Sequence, residues 1–385
     1  MLSVLLGIAA GTITGLLPGV HINLVSALLF SASPLLLDYL DPFSLALFII
    51  SMSITHTFLD TVPATFLGLN DDHILPAQAL VLNGRGHEAV KLANQGSLLC
   101  LLFGVVLLPF FIWLFPKLYA SIKPATGWVL LLISAWLILK DKKRTWSLVT
   151  FVLSGILGLI VLNHNITEPL LPLLSGLFGT STLLLSTRTP ALPAQYATDE
   201  IHPKNTLAVT GGTLAGALIA LLPGLGPAQA ATIASTVFKD ISAWSRIVMS
   251  GGINTVNFLV SLATMFALEK ARNGSMIVVL QLLTRLTIPQ LIAATLACII
   301  AAGFGTILSL WCSRAFVKVL ARVNYPLLCF SVLAFVVLLV GVFSGWMGLL
   351  VLVISTSIGI IPQLTRSPKQ HCMGCLIIPV IVFFL

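Results

Sequence analysis

The sequence predicts an all-α polytopic membrane protein made of two inverted repeats, each opening with a re-entrant helical hairpin broken at Pro and Gly. Three observations predict it. Hydrophobic residues fill 58% of the 385 positions and charged residues 8%, with a mean hydropathy of +1.07, so the chain cannot present an ordinary soluble surface. The stretch G-T-L-A-G-A-L-I-A-L-L-P-G-L-G-P-A-Q-A-A-T, Gly212 to Thr232, is helical in pattern on both sides of a break. Pro223 cannot donate to a helix ladder, and Gly224 and Gly226 tolerate backbone angles closed to other residues. The same pattern opens the chain, where Gly7, Gly11 and Gly15 lead into Pro18 and Gly19, each 205 positions before its counterpart Gly212, Gly216, Ala220, Pro223 or Gly224.

The first half reads in order as follows. Leu2 to Leu17 and Ile22 to Leu37 are too short to span comfortably and read as the two arms of a hairpin. Phe43 to Leu69 is a longer apolar run holding His56, Asp60 and Pro63. Asn70 to Gln95 is the most polar stretch of this half, with a short interfacial helix after Pro76. Gly96 to Phe115, Thr126 to Leu139 and Trp146 to Leu162 read as spans, and Pro169 to Ser186 as a further segment before a polar linker ending at Asn205. This gives a first repeat at 1–162, a connecting helix and linker at 163–205, and a second repeat at 206–385.

The second half offers Leu207 to Phe238 as its hairpin, then Ile247 to Leu268, a short piece from Ser275 to Leu283, and spans at Pro289 to Cys312, Pro326 to Phe343 and Trp346 to Ile361. The last twelve residues, 374–385, are apolar but too short to cross as a helix, and are expected to pack on the bundle. At about 20 residues per span the chain has room for roughly ten to thirteen membrane segments. Cys372 and Cys375 form a C-x-x-C after His371 with no second Cys/His pair, so packing is favoured over metal binding.

Charge placement argues for inversion. The loop after the first hairpin carries Asp38 and Asp41 and no base, whereas its partner carries Lys239 and Arg246. The run K-D-K-K-R at 140–144 corresponds to an uncharged turn near Ser344 and Gly345. With the halves facing opposite ways, 15 of the 20 Lys and Arg fall on the cytoplasmic side, and Lys117, Lys123, Lys270, Arg272 and Arg285 fall outside, as the positive-inside rule requires. The net charge of +8 therefore reads as topology signal and not as affinity for nucleic acid.

Candidate site residues follow from the breaks. The helices that resume after Pro18-Gly19 and Pro223-Gly224 begin with unpaired N–H groups, a partial positive end that favours an anion. His21, Asn23, Gln229 and Thr232 lie in those first turns, and a Gly/Pro-interrupted segment repeated in two halves is a pointer to a transporter binding site. Asn254 and Asn257, beside Gly251 and Gly252, sit one turn apart in an apolar run and need partners there: another helix or a substrate. Asp60 is the only acidic residue well inside an expected span, with His56 one turn earlier on the same face. The pair suits coupling to H+ or Na+, against the alternative that Asp60 caps a helix at the water boundary. Arg85 and Arg272 each stand beside a Gly, as solvated topology charges or as contacts to an anion.

Several of these pieces carry a resemblance. G-x-x-x-G followed by L-L-P-G-x-G-P, L-N-G-R-G-H-E-A-V-K-L-A-x-x-G-S at 82–97, G-L-F-G-T-S-T-L-L at 176–184, G-G-I-N-T-V-N at 251–257 and A-R-N-G at 271–274 resemble the large membrane subunit of tripartite tricarboxylate transporters, in particular a single-component archaeal-type branch. The resemblance implies a permease for small carboxylates, fed in the better-known branch by an extracytoplasmic binding protein. The chain departs at the first break, where Val20, His21, Ile22 and Asn23 stand in place of Leu-Gly-Pro.

Two classes of function are compatible with these features. The first is a secondary transporter in the cytoplasmic membrane, moving a small organic anion by alternating access, or its neighbour, a carrier for a lipid-linked phosphate. The second, an intramembrane enzyme, is disfavoured by the lack of H-E-x-x-H, G-x-S-x-G or an aspartyl pair in the spans. No G-x-x-x-x-G-K loop occurs, so ATP drive within the chain is not expected, and no cofactor is implied. Partners are a small organic anion and the bilayer, with homo-oligomerisation and a binding protein left open. The inversion predicts that single cysteines at Asp141 and Ser344 react with impermeant maleimide from opposite sides of the membrane; labelling from one side would refute it.

Overall fold

The chain adopts an all-helical fold in a computed structural model that describes residues 1–17, 20, 22–67, 76–187, 193–196, 205–238, 241–271, 273–320 and 324–385. The first half holds α1 (Leu2–Leu16), α2 (Ile22–Ser31), α3 (Ser33–Leu36), α4 (Pro42–Leu59), α5 (Thr61–Phe66), α6 (Pro76–Leu82), α7 (Gly86–Ile122), α8 (Thr126–Lys140) and α9 (Arg144–Asn163). Then come α10 (Leu170–Leu174), a π-helical stretch (Ser175–Thr180) and α11 (Ser181–Ser186). The second half holds α12 (Thr206–Ile219), α13 (Pro227–Val237), α14 (Ala243–Leu268), α15 (Gly274–Leu283), α16 (Ile288–Leu320), α17 (Tyr325–Thr365) and α18 (Gly374–Phe384). Six helical runs among the described residues are long and apolar enough to cross a membrane, joined by six shorter apolar helices.

Local chemistry sets the helix ends. The Asp41 side chain accepts from the N–H groups of Phe43 and Ser44 and starts α4, and its bonds to Ser44 hold its carboxyl below the ordinary range. Ser242, Asn273 and Asn324 cap α14, α15 and α17 in the same way, each worth about 1 kcal/mol. Inside α17, Gly345 has φ +62° and ψ −160°. A Cβ on Gly348 would lie 3.3 Å from Val340, a residue that a straight helix would place about 12 Å away, so the chain folds back at Gly345 as the sequence predicts.

Two boundaries differ from expectation. The polar stretch up to Gln95 does not end at the interface: α7 begins at Gly86, and His87, Glu88 and Asn94 are buried. Their side chains find partners inside, Asn94 donating to the Ser309 hydroxyl at 2.8 Å and His87 bonding to Ser313 at 3.1 Å. The second difference is at Asp60, where α4 stops and α5 starts.

The glycine faces do not bring the two hairpins together. Gly7, Gly11 and Gly15 lie against the carbonyls of Phe48, Met52 and His56 on α4, and Gly212 and Gly216 against those of Met249 and Ile253 on α14. Each seam joins a hairpin to the long helix of its own half, because the missing side chains let backbones touch.

Packing between the halves is reciprocal. α14 lies along α7, and α4 along α16. Ala93, Gly96 and Gly104 of α7 meet Gly251, Val248 and Leu259 of α14 in parallel register. Phe58 and Phe66 likewise meet Gly305 and Phe316 of α16. α18 packs on α9, and the 170–186 segment packs on α17. Charges grouped by topology meet accordingly: Lys270 lies over Tyr119 at 4.7 Å, two residues from Lys117, and His371 reaches Asp141. A Cβ at Gly96 would run into the Val248 backbone, which cannot give way. Gly96→Val is expected to destabilise by about 3 kcal/mol or more, read as a lower melting temperature in detergent.

Candidate functional site

The two glycine seams fix how α4 and α14 correspond. Gly7 faces the Phe48 carbonyl where Gly212 faces that of Met249, and Gly11 faces Met52 where Gly216 faces Ile253, an offset of 201 in both cases (249 − 48 and 253 − 52). On this register Ser53, His56 and Asp60 correspond to Asn254, Asn257 and Ser261. Both sets recur at i, i+3 and i+7, so each forms one polar stripe on a helix. The halves therefore place polar stripes of different chemistry at equivalent positions.

The α4 stripe is the more enclosed. Ser53 is buried and donates to the Ile49 carbonyl at 2.7 Å, and His56 is 6% exposed with Nδ1 3.1 Å from the Thr14 hydroxyl of α1. Asp60 sits where α4 gives way to α5, and no basic side chain lies within ion-pair distance of it among the described residues. It is half-buried at a helix junction six residues before the end of the Pro42–Phe66 run. A carboxylate there is costly without a cation.

The α14 stripe is half open. Ser261 is buried and donates to the Asn257 carbonyl at 2.7 Å, whereas Asn254 and Asn257 are half-buried and their amides have no partner among the described residues. Their neighbours are otherwise engaged. Thr255 bonds across to Thr57 at 3.1 Å, tying α14 to α4, and Gly251 and Gly252 serve contacts to α7. Two primary amides offer four N–H donors and two carbonyl acceptors, enough to bind carboxylate oxygens.

The hairpin tips are held by different elements. Pro18, Gly19 and His21 of the first tip, and Arg272, lie outside the described residues. Asn23 accepts from the Ser275 N–H at 3.3 Å, and Ser26 bonds to Ser275 at 2.9 Å, so α2 is docked on α15. In the second tip Gly224 has φ +82°, a conformation that favours glycine, and a Cβ there would lie 3.3 Å from the backbone of α18. Gln229 and Thr232, expected as donors to substrate, are committed to protein. Gln229 accepts from the Gly226 N–H at 3.0 Å and donates to the Gln370 carbonyl at 2.8 Å, and Thr232 donates to the Gln370 side chain.

Arg85 is also engaged. Its Nη2 lies 2.9 Å from Glu88, which is fully buried, and its guanidinium lies 5.0 Å above the Trp244 ring. The glycines around it serve a turn: Gly84, at φ +76°, accepts from the Tyr196 N–H at 2.7 Å, and the Gly86 N–H donates to Gln195 at 3.0 Å, which ties the linker to the start of α7. The sequence reading missed the turn at Lys369–Met373, where polar residues lie next to an apolar tail; a Lys, Gln and His in succession beside such a segment was the available signal. Cys372 and Cys375 are both fully buried.

A family model for the tripartite tricarboxylate transporter TctA family matches residues 1–374. The chain belongs to that family. A relative from Methanocaldococcus jannaschii, named uncharacterized protein MJ1079, is 29% identical and aligns over 100% of this chain and 99% of its own length. No solved structure matches. The family describes a membrane component of tricarboxylate transport, which agrees with the apolar helices and points to a transporter and away from an enzyme.

The Arg85 geometry separates a structural ion pair from an anion contact. Arg85→Met removes the ion pair to the buried Glu88 carboxyl and the contact with Trp244, which is expected to cost about 1–3 kcal/mol and to lower the melting temperature, with Glu88→Gln in the same chain recovering part of it. An unchanged melting temperature in Arg85→Met would return Arg85 to the list of anion ligands.

Proposed function

We propose that the protein is a secondary transporter of the cytoplasmic membrane that moves a small organic carboxylate by alternating access of its two repeats, coupled to an H+ or Na+ gradient. The observation that carries this reading is the pair of amides, Asn254 and Asn257, that have no partner among the described residues and lie on a half-open face of α14. Amide donors left unbonded in hydrocarbon are costly, and a carboxylate supplies the acceptors they lack. Family membership supplies the substrate class.

The equivalent stripe on α4 supplies the coupling group. On the shared register His56 stands where the other half has Asn257, and Asp60 where it has Ser261, so in this reading the halves have diverged: the second holds the anion and the first holds the cation. Reciprocal packing of α4 on α16 and of α14 on α7 is the arrangement two inverted repeats would make, with each long helix lodged in the opposite half. Thr57 and Thr255 link the two stripes directly, giving a route by which occupation of one is felt at the other.

Uptake of labelled citrate and smaller di- and tricarboxylates into proteoliposomes, with imposed pH or Na+ gradients, tests the reading. Asp60→Asn is expected to abolish gradient-driven accumulation while leaving expression and melting temperature unchanged. Asn254→Ala and Asn257→Ala are each expected to raise KM about tenfold, as for loss of roughly 1.4 kcal/mol. Normal accumulation by Asp60→Asn would remove it from coupling, and no uptake of any carboxylate by the parent would remove the substrate class.

A further inference from the structure

The turn Lys369–Met373 projects successive side chains into three different parts of the fold. Lys369 Nζ donates to the Phe178 carbonyl at 3.0 Å, to the Ser181 hydroxyl at 2.9 Å and to that of Thr182. All three belong to the G-L-F-G-T-S-T-L-L segment, which opens on the π-helical stretch Ser175–Thr180; such stretches occur often at functional positions. His371, 3% exposed, pairs with Asp141 in the turn between α8 and α9, and its carbonyl accepts from Ser154 at 3.3 Å. Between these two anchors stands Gln370, 9% exposed.

Gln370 faces the second re-entrant tip with both its polar groups. Its backbone carbonyl receives the Gln229 amide at 2.8 Å, and its side-chain oxygen receives the Thr232 hydroxyl. Gln229 in turn holds the Gly226 N–H at 3.0 Å, the residue on which α13 restarts after the break. The Met373 side chain closes on Gly226, and the Leu376–Ile377 backbone lies under Gly224. The hydrogen bonds that Gln229 and Thr232 make outside their own helix thus both lead to residue 370, and α13 packs on α14, the helix that carries Asn254 and Asn257.

We propose that Gln370 is a positioning residue for the second hairpin: held between Lys369 and His371, it sets the orientation of the Gly224–Gly226 tip and of the N-terminus of α13 relative to the amides of α14. The functional part of this rests on the reading that the α14 stripe binds the substrate. The geometry gives a separable part, since the link between Gln370 and Thr232 orders the tip whether or not a substrate is known. Gln370 touches no substrate in this assignment and acts through Thr232 and Gln229.

The test places a cysteine at Leu225, 8% exposed in the tip, against a background of native cysteines that are all buried. Gln370→Ala and Thr232→Val should each speed maleimide labelling of that cysteine about three- to tenfold, the weight of one neutral hydrogen bond. The double variant should do no more than either alone, and Thr232→Ser, which keeps the hydroxyl, should label like the parent. In proteoliposomes Gln370→Ala should raise the KM for citrate with Vmax and melting temperature unchanged. Unchanged labelling in Gln370→Ala overturns the proposal, as does a fall in melting temperature that tracks the labelling, which would make the link a general stabilising contact. If labelling responds as expected but the parent carries no carboxylate, the positioning stands and the transport reading fails.

Discussion

Hydrocarbon offers backbone groups nothing to bond to, and this constraint shapes the whole molecule. Helices satisfy themselves, so what remains is how closely they approach and what is done with each place where a helix stops. Glycine decides the first question here. The seams at Gly7, Gly11 and Gly15, at Gly212 and Gly216, and at Gly96 and Gly251 set carbonyls against positions without side chains, so the long helices are located by backbone against backbone and not by interchangeable side chains. The breaks bear on the second question: after the first, Asn23 and Ser26 dock α2 on Ser275, and at the second Gln229 holds Gly226 and Gln370.

The two polar stripes differ in how their groups are partnered. Ser53, Thr57, Thr255 and Ser261 all bond along or across helices, whereas among the described residues the amides of Asn254 and Asn257 have no partner and no basic side chain forms an ion pair with Asp60. The glycine seams place both stripes in one register, so α14 carries neutral amides where α4 carries a serine and a histidine, and Asp60 has a serine as its counterpart. The hydroxyls of Thr57 and Thr255, each next to a stripe residue, join the two helices.

Much of this fold was legible in the sequence because its signals are local. The Pro-Gly breaks, the turn at Gly345 and the hairpin lengths follow from residues that restrict or free the backbone where they stand. Charge placement carried further than expected, in that Lys270 does meet Tyr119 near Lys117, and Asp141 does meet the turn before α18. What the sequence could not convey was partnership. Gly7 and Gly212 announce a close helix contact but not with which helix, and the hydrogen-bonding capacity of Gln229, Thr232 and Arg85 looks the same whether it serves a ligand or Gln370 and Glu88. The start of α7 was lost for the same reason: His87, Glu88 and Asn94 read as surface residues until Ser313, Arg85 and Ser309 are seen beside them.

The turn before α18 also bears on how the protein is made. It emerges from the ribosome after every helix it braces, since the tip at Gly224–Gly226, the 176–184 segment and the α8–α9 turn all precede it in the chain. Until it arrives, Thr232, Phe178 and Asp141 lack their partners in this turn, and the face of α9 that receives α18 stays uncovered. The second tip, the 176–184 segment and the α8–α9 turn are thus tied to one another only once synthesis has passed Met373, which makes their mutual placement a late step in assembly.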